Sequence, residues 1–75
     1  MNSKELIRKE VARVGLKKVL SAYCGIEGNK EATLRTALDR GQISKGMAFD
    51  LETITLISAL FWMLPAKYDT NGDRR

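Results

Sequence analysis

Histidine does not occur in this 75-residue chain, and cysteine occurs once. Without histidine the commonest general base and the commonest metal ligand are missing, which excludes a His-dependent catalytic triad and a histidine-bound zinc site. The lone cysteine, Cys24, rules out an intrachain disulfide. Its place between Tyr23 and Gly25 in an apolar-periodic stretch marks a small buried hydrophobe rather than a reactive thiol. The acidic residues are scattered, no Gly-rich loop leads into Lys-Ser or Lys-Thr, and no serine sits in a nucleophile-elbow setting. An enzyme is therefore not expected, and neither a cofactor nor a metal is called for. The longest apolar run, Leu51 to Pro65, is interrupted by Glu52, two threonines and a serine, and falls short of the roughly 18 to 20 residues that span a bilayer. The start, Met1-Asn2-Ser3-Lys4-Glu5, has no apolar core of a signal peptide, so a cytoplasmic protein away from the membrane is expected.

What is present is the balance of a globular protein, 44% hydrophobic and 29% charged. A single domain of this size buries only about 60% of the surface its unfolded chain exposes, so self-association would help it. The net charge is +4, unevenly placed. Arg8, Lys9, Arg13, Lys17, Lys18, Lys30, Arg35, Arg40 and Lys45 precede residue 46, whereas Leu51 to Leu64 holds one acid and no base. That asymmetry fits an anionic partner on one side and a protein contact on the other.

Helical periodicity dominates. Asn2 or Ser3 caps a first helix, with Glu5 in the capping-box position, and Leu6, Ile7, Val11 and Val14 recur along Ser3 to about Val14. Leu16, Val19, Leu20 and Tyr23 make a second stripe, predicting a short helix from Leu16 to about Cys24, closed at Gly25. Gly25-Ile26-Glu27-Gly28 then reads as a turn and Asn29 as the cap of a third helix that stops at Gly41. Gln42 to Phe49 reads as a loop, and Asp50 as the cap of a fourth helix from Leu51 to Leu64, ended by Pro65. The fold expected is all-α: a compact bundle of four main helices with a helix-turn-helix-like arrangement, one domain over residues 1–66 and a mobile polar tail over 67–75.

On the third helix Leu34, Ala37 and Leu38 share one side, which places Leu34 and Leu38 in the core. The opposite arc carries Asn29, Ala32, Thr33, Thr36, Asp39 and Arg40, with Arg35 at its edge. Together with Glu31, the core residues of this helix and the stretches Leu51-Glu52-Thr53-Ile54 and Ile57-Ser58-Ala59-Leu60 give the region from 16 to 60 a form that resembles the lambda-repressor-like, or Xre-type, helix-turn-helix family. Within that family it is similar to antidote proteins of addiction modules and small phage repressors. The family's usual glutamine near the start of the preceding helix is not present in Leu16 to Cys24. The resemblance implies double-stranded DNA as partner, with helix three in the major groove. Asn29, Lys30, Thr33, Arg35 and Thr36 would then meet bases or phosphates, while Lys17, Lys18, Arg40 and Lys45 would fix register on phosphates. Asp39 and Glu31 oppose phosphate approach unless they accept from cytosine.

The fourth helix carries more apolar surface than a core-facing helix needs. Leu56, Leu60, Phe61, Trp62 and Met63 are accordingly the expected interface of a homo-oligomer, a dimer in the first instance. The same surface supports the competing expectation of a helical interaction protein that binds another regulatory protein, as small phage antirepressors do.

Overall fold

The computed structural model describes residues 2–75. Among them are α1 (Ser3–Val14), α2 (Leu16–Glu27), α3 (Glu31–Arg40), α4 (Lys45–Thr55) and the short α5 (Ala59–Met63), with no strand. This is the all-α bundle of four main helices, extended by one short turn of helix. At the start of α1 the Asn2 side chain accepts from the Glu5 amide at 2.9 Å, and Gly15 separates α1 from α2 without an intervening loop.

α2 runs three residues beyond its expected end. Gly25 keeps a helical conformation inside it, because nothing there demands the left-handed region; the stop comes at Gly28, whose φ of 80° does. The displaced turn is three residues, Gly28-Asn29-Lys30, and Lys30, not Asn29, takes the cap of α3, with no side-chain hydrogen bond. α3 ends as expected at Gly41, in the left-handed region at φ 68°. The Gly41 and Gln42 amides there satisfy the carbonyls of Leu38 and Ala37.

The largest departure lies after Gly41. Residues 45–49 are helical rather than loop: Ser44 caps α4 through its hydroxyl, which accepts from the Met47 amide, and Asp50 lies within the helix. α4 then breaks at Leu56, so Leu51 to Leu64 is not one helix. The run Thr53-Ile54-Thr55 is β-branched and stiff in a helix, and local polar groups favour the break. The Thr55 hydroxyl bonds the Leu51 carbonyl and receives the Ile57 amide, while the Glu52 carboxylate and the Ser58 hydroxyl accept from the Ala59 and Leu60 amides. Glu52 and Ser58 thus cap α5.

α2 packs against α1, α3 and α4, α1 also against α3, and α4 against α5. Their common core is Ile7 and Val11, Val19, Leu20 and Tyr23, Leu34 and Leu38, Ala48 and Leu51, and Ile57, Ala59, Phe61 and Trp62, with Ile43 from the α3–α4 connection. Phe61 and Trp62 meet edge to face at 5.3 Å. Leu34 and Leu38 take the core positions read from their spacing. Residues 67–75, read as a mobile polar tail, are placed in a hydrogen-bonded loop. Tyr68 and Arg74 form an antiparallel bridge, Asp69 Oδ1 accepts from the Asn71 and Asp73 amides, and Arg75 Nε donates to the Pro65 carbonyl. No helix among the described residues is long and apolar enough to cross a membrane.

Candidate nucleic-acid interface

Burying Leu34 and Leu38 against α1 and α2 turns the opposite side of α3 to solvent. Ala32, Thr33, Arg35, Thr36, Asp39 and Arg40 are all exposed, and Asn29 and Lys30 in the preceding turn are exposed beside them. None of these side chains is large and apolar, so the arc can approach a hydrated polyanion without covering hydrophobic surface. Lys17 and Lys18 project from the first turn of α2, and Lys45 from the first turn of α4; all three are exposed. Lys45 belongs to the helix that replaces the expected loop and not to a connection.

Between α2 and α3 opens a cleft of about 380 Å³ lined by Lys17, Leu20, Ser21, Cys24, Glu31 and Arg35. It unites two of the nominated cations, Lys17 and Arg35, across one mouth. Lys18, Thr33, Thr36, Arg40 and Lys45 do not line it. Two further residues of the cleft, Ser21 and Cys24, were not singled out for function; they follow Lys17 at intervals of four and three, the spacing of one helix face.

The cations differ in how they are held. Arg35 Nη2 donates to Glu31 Oε1 at 2.9 Å, one turn earlier on α3. Lys30 lies 3.8 Å from Glu27, the last residue of α2. Glu27 in turn is held above the ordinary glutamate range, first by a hydrogen bond with the Asp50 carboxyl from α4 and then by its charge. The same two carboxylates, after burial itself, push the Tyr23 phenol up. The acidic pair therefore sits where α2 meets α4, beside the turn and next to Lys30. No group of three or more metal-ligating side chains occurs among the described residues.

The nominated oligomer surface divides. Phe61 and Trp62 are buried in the monomer core at 1% and 0% exposure, so they are not available to a partner. The break at Leu56 rotates α5 and drives both rings inward. Leu56 stands 89% exposed and Leu60 39%, with Met63 half-buried against the core. Phe49 and Leu64 are exposed as well. No protein family, curated protein or solved structure matches this chain.

Proposed function

We propose that the chain is a small DNA-binding transcriptional regulator of phage or addiction-module type, a lambda-repressor-like helix-turn-helix protein that inserts α3 into the major groove. One observation carries the reading: α2 and α3, joined by the glycine-led turn Gly28-Asn29-Lys30, leave α3 with its apolar side buried and a continuous polar arc exposed. On this reading Asn29, Thr33, Arg35 and Thr36 face base edges. Lys17, Lys18, Lys30, Arg40 and Lys45 meet phosphates, which position the domain but carry no sequence information. Two copies associate through Leu56 and Leu60, with Met63 at the margin. Such a dimer presents two α3 helices to two half-sites, which is how domains too small to bind tightly alone gain affinity.

The test is a salt titration of binding to the DNA upstream of the protein's own gene. Each phosphate contact steepens the logarithmic salt dependence by about 0.9, so five cations give a slope near −4.5 for one bound protomer and about twice that for the dimer. Lys18→Ala lowers affinity for all sequences alike. Arg35→Ala or Thr33→Ala loses about 1 to 3 kcal/mol on the cognate site alone when the side chain reads a base. A second reading, the antirepressor-like protein that binds another regulator, draws on the exposure of Phe49, Leu56, Leu60 and Leu64, since apolar side chains of this size anchor protein interfaces. A protein that shows no salt-dependent DNA binding but forms a stable complex with a purified repressor follows this second reading instead.

A further inference from the structure

The arginines of this chain are not held alike, and the difference falls on α3. On α1, Arg13 gives both Nε and Nη2 to a single Glu10 oxygen, at 2.9 and 2.7 Å, so one edge of its fork is consumed within the helix. On α3, Arg35 gives Nη2 alone to Glu31 Oε1 at 2.9 Å. Its Nε and Nη1, and the other carboxylate oxygen of Glu31, make no hydrogen bond within the described residues. Both side chains remain about half exposed, at 54% and 50%, at the lip of the α2–α3 cleft. Arg40, further along the same exposed arc, has no such ion pair among the described residues.

We propose that Glu31 is a positioning residue for Arg35, holding its guanidinium so that α3 reads the guanine of one G·C base pair instead of clamping a phosphate. The inference rests on the DNA-binding reading above and names a determinant of its specificity. Guanine offers two acceptors, O6 and N7, on its major-groove edge, and a guanidinium satisfies both only when its plane lies in the plane of the base. An arginine on a helix surface otherwise samples many rotamers and must give up that freedom on binding. A single bond from Nη2 to Glu31 narrows the orientations open to the guanidinium while leaving donors for O6 and N7. It also offsets the positive charge, which weakens the pull of Arg35 toward backbone phosphates. The remaining Glu31 oxygen is an acceptor of the kind that suits the amino group of the paired cytosine, so the two side chains together match both halves of the pair.

The proposal separates from the ordinary role of a glutamate and arginine spaced one turn apart, which is to steady the helix by a small amount. A pool of short duplexes with a randomised centre is offered to the wild type, Glu31→Gln and Arg35→Lys, and the bound sequences are read alongside the salt dependence on random-sequence DNA. Circular dichroism verifies that each variant is folded. The wild type should enrich one G·C pair per half-site. Glu31→Gln should weaken that preference by roughly tenfold, yet bind bulk DNA as tightly or more so, with a salt slope steeper by up to about 0.9. Arg35→Lys, which lacks the planar fork, should weaken the preference as well and leave the slope in place. A Glu31→Gln protein that is folded, binds DNA and enriches the same sequences as strongly as the wild type overturns this inference alone. Absence of salt-dependent DNA binding by the wild type overturns the proposed function, and this inference with it.

Discussion

Leu56 sits in the left-handed region at φ 62° and ψ 15°, with its amide donating to the Glu52 carbonyl at 2.8 Å. This is the helix-ending position that glycine ordinarily fills. A residue with a Cβ costs roughly 1 to 2 kcal/mol there. Replacing Leu56 by glycine removes that strain, and the freer unfolded chain takes back about 0.4 to 1 kcal/mol. Because the side chain is 89% exposed, little packing is lost, and the balance is a gain of about 0.7 kcal/mol. In a domain of this size each kcal/mol moves the midpoint by about 4 to 8 °C, so Leu56→Gly should melt about 3 to 6 °C higher than the wild type. Leu56→Ala keeps the Cβ and therefore the strain, and should show no such rise. Melts by circular dichroism at dilute protein isolate the monomer; sedimentation at high concentration reports association. If Leu56 lies in the dimer contact, glycine strengthens the fold and weakens the dimer, two effects of opposite sign from one side chain. A Leu56→Gly protein that melts below both the wild type and Leu56→Ala at every dilution would refute the argument, because it would mean that the side chain is packed.

Four other perturbations probe the remainder. Leu38→Ala should cost about 2 to 5 kcal/mol, read as a large fall in melting temperature; an unchanged melt would mean that α3 is rotated. Gly41→Ala places a Cβ 2.8 Å from Lys4 Cα at a φ of 68°, so its cost should exceed the roughly 1 to 2 kcal/mol of left-handed strain alone, again measured by melting. The neighbouring Asp50 holds Glu27 above its ordinary pKa, so its contribution to stability is complete below the unfolded value, about 4.3, and is lost as pH rises through the folded one. Glu27→Gln should accordingly melt higher than the wild type at neutral pH and alike in acid; equal melts throughout would contradict that linkage. Trp62 is the chain's single tryptophan, fully buried with no partner for its indole N–H. Native fluorescence should resist iodide quenching, and Trp62→Phe should lose less stability than Trp62→Ala, since phenylalanine keeps much of the packing and removes an orphaned donor.

The first half of the fold is legible in the sequence because its signals are local. The Asn2 and Glu5 cap, the Ile7 and Val11 stripe, and the Leu34, Leu38 and Gly41 pattern each act within a helix or at its end. Two errors came from punctuation with more than one meaning. Gly25 has the residue type of a stop, but glycine ends a helix only where the chain turns left-handed, and that happens at Gly28. Asp50 has the residue type of a cap, yet Ser44 already opens the helix, and tertiary packing of Ala48 and Leu51 carries it past Gly46. The break at Leu56 was hidden because leucine stands where glycine is expected; the clue was the β-branched run ahead of it and Ser58 behind. That break decides which aromatic rings face inward, so the sequence reading placed Phe61 and Trp62 at an interface when the core holds them. The exposed arc of α3 followed from periodicity alone. The Glu31–Arg35 spacing is visible too, although in the sequence Glu31 bears only on the family resemblance and on the repulsion of DNA phosphates.

The approach of Gly41 to Lys4 sets a condition on any protein that shares this architecture. A side chain at 41 would strike the backbone of α1, not a flexible tip, so no rotamer change relieves it. The last turn of α3 and the first turn of α1, 37 positions apart in the chain, can lie this close only while that position stays bare. Exposed positions on both helices meet no such steric bar. A protein with this architecture should therefore carry a glycine closing the third helix and a first helix whose opening turn rests upon it.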